Sequence, residues 1–427
     1  MKPNSIPLLA LAVGVLLLSA IAAPRAEDAV PELMAPAEAA SGEASGPEAV
    51  PELAPADSPS ATAPRLGEAR LDPALGRYVA PYGDGRAILT LSAALQAQLT
   101  RTLEENAVPW GATVLIEPGT GRVLAMAEHS RAEPGASGLA LRALAPAASI
   151  FKLVTAAALL EQGVSPDEEV CFHGGRHRLD PRLLNDDPRR DRRCITLEEA
   201  FGRSTNVVFA KLAERGLNAD GLRDAAERFL FNTRIPFART LEPSTALIDD
   251  DAFQLANTAA GFGPVRLSPL HAALLAAIVA NGGVFVPPVL VDRVDGAPAP
   301  APEDPRRVVQ EGVAAALNAM MRATVTDGTA RRAFRRAGGP LRSMAVAGKT
   351  GTLSDRDPYR DYSWFVGFAP ADDPQVAVAT LIANDRKWRV RAPAVAREAL
   401  EAFFRQELAR GDIGSPAGMV RTKLTAD

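Results

Sequence analysis

A chain of 427 residues, 47% hydrophobic and 23% charged, has room for one large domain or two to three ordinary ones. Its net charge of −4 argues against nucleic acid as the main partner. Of the 47 basic residues, six are lysines (2, 152, 211, 349, 387 and 423) and the other 41 are arginines. Where this chain merely needs positive charge it uses arginine, so a lysine at a special place suggests an amine that must lose its proton.

Lys2 precedes an apolar run from Ile6 to Ala23. The segment 1–26 reads as an export signal, with Ala20-Ile21-Ala22 as a cleavage site. The run of 18 residues also reaches the lower edge of a membrane span, so an uncleaved anchor in the inner membrane is the other reading. Glu27–Pro64 is rich in Ala, Pro, Glu and Ser, with eight acids, no base and no aromatic. It repeats imperfectly, AVPELMAPAE at 29–38 and AVPELAPAD at 49–57. The expectation is a disordered linker over 27–84. Without that acidic stretch the chain carries +4, so the remainder is near neutral.

The globular domain is expected over 85–412, with a tail at 413–427. LSAALQAQLTRTLEENA places apolar residues at 91, 95, 99 and 103 and predicts a helix over 92–107. Strands at 112–117 and 122–127 flank the turn Pro118-Gly119-Thr120-Gly121. The middle, 149–335, is mostly helical, with irregular insertions at 171–194 and 232–250. SMAVAGKTGT (343–352), YSWFVGFAP (362–370) and QVAVATLIAND (375–385) return to strand, and a helix at 392–410 closes the domain. Strands at both ends with helices between them predict one α+β domain. Its antiparallel sheet, of about five strands, is built from both ends and stands beside a helical lobe. The terminal helices cover the sheet's other face, and the cleft between sheet and lobe is the natural ligand site.

Cys171 and Cys194 are the two cysteines. An even pair in an exported chain favours a disulfide. Free thiols are a second reading, and a zinc site of Cys171, His173, His177 and Cys194 a third, although the spacing matches no common zinc module. Gly261-Phe262-Gly263 lacks the third glycine of a nucleotide loop.

The stretch Pro146–Leu160, PAASIFKLVTAAALL, reads as a buried helix with one lysine near its start. Ser149 and Lys152 are three apart and share a helix face. Burial lowers a lysine pKa, and a neutral amine can take a serine proton, making Ser149 a nucleophile without histidine. The plain alternative is a capping serine and a snorkelling lysine. Ser204 and Asn206, in RSTNV, supply a second hydroxyl for proton relay and an amide for a substrate peptide group; alone they read as a helix cap. Lys349, Thr350, Gly351 and Thr352, in GKTGT, supply a charge for a substrate carboxylate and for tuning Ser204. Gly351 would leave a strand edge open to a ligand backbone, and the N–H groups of Thr352 and Ser149 would form an oxyanion hole.

In order and together, S-I-F-K, S-T-N and K-T-G-T resemble the three active-site motifs of the penicillin-binding proteins, the serine D,D-transpeptidases related to serine β-lactamases. The resemblance extends through ILTLSAALQ, GATVLIEPGTGRVLAMA, GFGPVRLSPLHAALLAAIVANGGVFVPP, TVTDGTA and SWFVGFAP, covering about 88–410. It implies a β-lactamase/transpeptidase-like fold and acylation of Ser149 by the penultimate D-alanine of a peptidoglycan stem peptide. Lys152 would be the general base. Ser204 and Asn206 would assist leaving-group protonation and binding, and Lys349 and Thr350 would hold the terminal carboxylate. β-Lactams would be inhibitors, and no metal or cofactor is implied. An acceptor amine gives a transpeptidase and water a carboxypeptidase.

The chain departs from the family in several places. No glycosyltransferase region precedes the domain, and the linker stands where many relatives carry a large N-terminal module. Leu153 stands where many have proline, and the insertion 171–194 has no match. PAASIFK also resembles the first motif of class D β-lactamases, whose lysine is carboxylated. Those usually carry S-x-V where this chain has S-T-N. The class A glutamate motif E-x-x-L-N is not found. A catalytically idle β-lactam sensor or cell-wall scaffold is the reading from another class.

Overall fold

In the computed structural model, residues 64–411 are described apart from 176–177, 296–303 and 357–358. The expected export segment, nearly all of the acidic stretch, the C-terminal tail and His177 lie outside the described residues. Five antiparallel strands form the main sheet, in the order Ala347–Arg356, Tyr359–Ala369, Val376–Asn384, Trp110–Ile116, Val123–His129. The two ends of the domain therefore meet where Val376–Asn384 pairs with Trp110–Ile116. All nine residues of Val376–Asn384 are buried, which explains its nearly unbroken apolar reading: both faces are covered. Its one buried hydroxyl, Thr380, meets Thr113 across the ladder at 3.1 Å, so neither is left unsatisfied.

The helices Ala93–Glu105 and Ala392–Arg410 cover one face, as expected. Leu95, Leu99 and Leu103 join Phe403 and Phe404 there against Phe365, Val378 and Ile382. The other face carries Pro269–Ala280, buried at every position from Pro269 to Val279. A helix apolar all round has to sit inside, and this one lies between the sheet and the helical lobe.

The folded part begins before residue 85, so the linker boundary expected at 84 is too late. Arg70–Asp72, Arg77–Tyr82, Gly85–Ser92 and Val291–Val294 make a four-stranded sheet. Tyr82 pairs with Gly85 around a two-residue turn in which Gly83 has φ 52°. That Gly-Asp hairpin signal was present in YGDGR, beyond the acidic stretch that ends at Pro64. Thr90 Oγ1 donates to Val123 O at 2.6 Å and ties this sheet to the main one.

The insertion 171–194 is not irregular at its ends. Glu169–Phe172 pairs with Arg193–Thr196, and Cys171, directly opposite Cys194, is joined to it by a disulfide. Both sulfurs are thus unavailable to a metal, and His173 Nδ1 meets Asp191 instead. Lys211, fully buried on the helix Asn206–Gly216, donates to Cys171 O (3.0 Å), Asp186 (3.0 Å) and Asp191 (2.6 Å). Its charge is satisfied by carboxylates of the insertion, which it locks to the helix. Gly175, at φ 66°, lies so close that a Cβ there would come within 2.6 Å of Val207 Cβ, next to Asn206.

Candidate active site

Ser149 sits in the single turn Ala148–Ile150 that leads into the helix Lys152–Glu161. The residue before it, Ala148, has φ 49°, a conformation that non-glycine residues adopt only where the surroundings impose it. The constraint is visible: Gly261, at φ 90°, presses on this turn, and a Cβ on it would lie 2.6 Å from Ala148 O and 3.0 Å from Ser149 N. Lys152 Nζ stands 2.9 Å from Ser149 Oγ. It also donates to Asn206 Oδ1 at 2.7 Å and to Ala260 O at 2.5 Å.

A neutral amine has two hydrogens and one lone pair. Asn206 Oδ1 and Ala260 O are pure acceptors and take the two hydrogens, so the lone pair is left for the Ser149 hydroxyl. Lys152 has no exposed surface. Burial holds its pKa well below the ordinary lysine value, and repulsion from Lys349 lowers it further. These two effects favour the form that accepts a proton. The snorkelling reading of Lys152 is therefore replaced, because its ammonium end does not reach water.

Ser204 ends the helix Leu197–Arg203 at φ 55°, and Asn206 begins the next, Asn206–Gly216. The left-handed Ser204 is a helix cap and something more, since Lys349 Nζ lies 2.9 Å from its Oγ. Lys349 also donates to Thr350 O at 3.0 Å and lies 5.4 Å from the centre of the Phe201 ring. It is fully buried, and burial pushes its pKa down to about 7. Direct contacts thus join Ser149, Lys152 and Asn206 in one set and Ser204 and Lys349 in another, and the repulsion between Lys152 and Lys349 couples the two.

The K-T-G-T stretch lies on Ala347–Arg356, the edge strand, packed on the Ala148–Ile150 turn and on the helix Glu311–Thr326. Two expectations for it change. A Cβ on Gly351 would meet Ile150 Cγ1 at 3.2 Å and Ala147 O at 3.3 Å. The missing side chain makes room for the turn that carries Ser149, not for a ligand. Strand alternation also sets Lys349 and Gly351 on one face and Thr350 and Thr352 on the other, so Lys349 and Thr350 do not point the same way. Thr352 is exposed, while Thr350 Oγ1 lies 2.5 Å from Thr329 Oγ1.

Three contributors were not singled out in the sequence. Ala260 offers only a carbonyl, which no residue type advertises. Gly261 belonged to the glycine pair set aside as a nucleotide loop. Thr329 lay in TVTDGTA without a role.

This fold and this Ser-Lys, Ser-Asn, Lys-Thr constellation match the class of penicillin-binding transpeptidase domains. The family model described as "Penicillin binding protein transpeptidase domain" matches residues 111–401, and the chain belongs to that family. It is 31% identical over 313 residues to "Peptidoglycan D,D-transpeptidase PbpA" of Mycobacterium tuberculosis, covering 64% of this chain and 62% of that relative. The chain thus spans less than two thirds of that relative's length. The crystal structure of PBPA from M. tuberculosis superposes with a TM-score of 0.61 at 27% identity, covering 76% of this chain and 81% of that one. The penicillin G acyl-enzyme complex of that penicillin-binding protein A gives 0.60 at 27% identity, covering 78% and 83%.

Proposed function

We propose that this protein is a peptidoglycan D,D-transpeptidase that cross-links stem peptides through an acyl-enzyme on Ser149. The observation that carries it is the buried Lys152 Nζ, 2.9 Å from Ser149 Oγ with its other partners both acceptors. Ser149 Oγ attacks the penultimate D-alanine carbonyl while its proton passes to Lys152. The oxyanion is held by the N–H groups of Ser149 and Thr352. The tetrahedral centre collapses with cleavage of the peptide bond, and the departing D-alanine amine takes a proton by way of Ser204, whose hydroxyl is polarised by Lys349. Asn206 aligns the peptide group. Thr350 and Thr352, on the face of the strand opposite Lys349 and Gly351, hold the terminal carboxylate, with the charge of Lys349 behind them. An amine of a second stem peptide then attacks the ester carbonyl and gives its proton to Lys152, and the acyl C–Oγ bond breaks as Lys152 returns the proton to Ser149 Oγ.

Ala260 O and Asn206 Oδ1 would face a carboxylated lysine with like partial charge, which supports a free amine and weighs against the class D lactamase reading. The penicillin G complex of the relative supports β-lactams as inhibitors. The disulfide supports an oxidising, extracytoplasmic compartment. Anchoring through residues 6–23 rests on the sequence; among the described residues no helix is long and apolar enough to cross a membrane.

The test is incubation with a fluorescent penicillin and a chromogenic cephalosporin. Stable labelling at Ser149 with negligible turnover is expected, and its loss in Ser149→Ala. Rapid turnover would mean a lactamase, and absence of labelling a scaffold.

A further inference from the structure

The turn and short helix after Glu311–Thr326 border a cavity of about 660 Å³, lined by Asp327, Thr329, Arg331, Arg332, Arg335 and Arg336. The volume is within the ~300–1,000 Å³ of ordinary ligand sites. Four arginines and a single acidic residue thus line it. Among the described residues no carboxylate pairs with any of the four. Other arginines near the segment are paired, Arg322 with Asp372 and Arg397 with Glu398 and Glu401. The arginines are spaced one and four apart, so like charges share a face, an arrangement that is unfavourable until an anion arrives.

The segment is also held in place. Phe334, between the arginine pairs, is buried with its ring 5.0 Å from that of Phe365 on the main sheet. Ala330 N donates to Thr324 O at 3.0 Å. The arginines project from a fixed base.

The cavity adjoins the active site through two bonds. Thr329 N donates to Gly202 O at 3.1 Å, two residues before Ser204. Thr329 Oγ1 meets Thr350 Oγ1 on the strand that presents the substrate. We propose that this arginine cavity is a binding site for a carboxylate-bearing peptide, an outward extension of the substrate cleft; this rests on the reading of the cleft as a peptide acyl-transfer site. Paired guanidiniums suit bidentate binding of carboxylates.

The test uses the full-length protein and two routes. In the first, fluorescein-labelled tetraglutamate and tetraglutamine are titrated and followed by anisotropy. Tetraglutamate should bind, more weakly as salt rises, and at least tenfold more weakly to Arg331→Gln/Arg335→Gln and to Arg332→Gln/Arg336→Gln. Tetraglutamine should not bind. In the second, two D-Ala-D-Ala peptides, one with free side-chain carboxylates and one amidated, compete with fluorescent penicillin for Ser149. The free acid should be the better competitor in the wild type by about tenfold, and the two should become equal in the variants. These exposed substitutions should leave penicillin labelling itself unchanged, which certifies the fold. Equal tetraglutamate binding by wild type and variants overturns the proposal. So does a site that takes inorganic phosphate but not tetraglutamate. Absence of penicillin labelling in the wild type would instead count against the acyl-transfer reading, and the anisotropy result would still decide the anion site.

Discussion

Lys152 Nζ lies 2.5 Å from the carbonyl oxygen of Ala260, a residue 108 positions away that has no functional side chain. That carbonyl is one of two acceptors that occupy the hydrogens of the amine and leave its lone pair to Ser149.

Lys152→Arg should therefore fail as badly as Lys152→Ala. Arginine retains charge but cannot give up a proton at accessible pH. The second-order rate of acylation by penicillin should fall by roughly a hundredfold or more in both variants, on general-base magnitudes. In the wild type the same rate should decline as the pH is lowered, because Lys152 then regains its proton. Near wild-type acylation by the arginine variant would show that Lys152 supplies charge alone.

Lys349 gives a stability prediction with a defined sign. Its pKa is about 7 in the fold, below the ordinary lysine value of 10.5. Between those values the unfolded chain binds a proton that the native chain does not, so stability rises with pH across that window, and the burial penalty is fully present below pH 7. Lys349→Met removes the penalty and also two hydrogen bonds. The expected net gain at pH 6 is roughly 2–3 kcal/mol, shrinking as the pH approaches 10, with acylation lost. Denaturant unfolding at several pH values checks it; a variant less stable at pH 6 than the wild type would contradict the linkage.

Gly261→Ala changes no chemical group, yet should impair acylation. The new Cβ meets Ala148 O at 2.6 Å, and φ 90° is unfavourable for alanine. The strain should cost about 1–3 kcal/mol and displace the Ser149 turn. An acylation rate reduced about tenfold or more, with Ser149 and Lys152 intact, is the expected result.

The disulfide closes a loop with a sequence separation of 23, for which chain entropy suggests about 3 kcal/mol. Cys171→Ala/Cys194→Ala should lose that much stability, measured by thermal or denaturant unfolding. Mass spectrometry of unreduced wild-type protein should show no free thiol. Two freely alkylated cysteines would reject the bond.

Much of the fold was legible because hydrophobic periodicity survives in one dimension. The helix expected at 392–410 is Ala392–Arg410, and the strand expected at 375–385 is Val376–Asn384. The early strands Arg70–Asp72 and Arg77–Tyr82 were missed because compositional bias was extended past Pro64, over a hairpin signal that was present. The residue types of the site were legible for another reason. Nucleophile, base, relay and amide each need a particular functional group, and Lys152 and Lys349 stood out inside short motifs in a chain that mostly uses arginine for its positive charge.

The sequence by itself thus determined which side chains are available for the proposed chemistry and in what order they occur along the chain. Only the tertiary structure decided their states and directions. The lowered pKa of Lys152 comes from burial among elements far away in sequence. The facing of Lys349 toward Ser204, with Thr350 toward Thr329, comes from strand alternation in an edge strand whose register is set by pairing with Tyr359–Ala369. The Ala260 carbonyl and the Gly261 contact are backbone features, with no chemical signature along the chain. They acquire meaning only when packing brings them against the Ser149 turn, because a carbonyl or a missing Cβ acts by where it is placed.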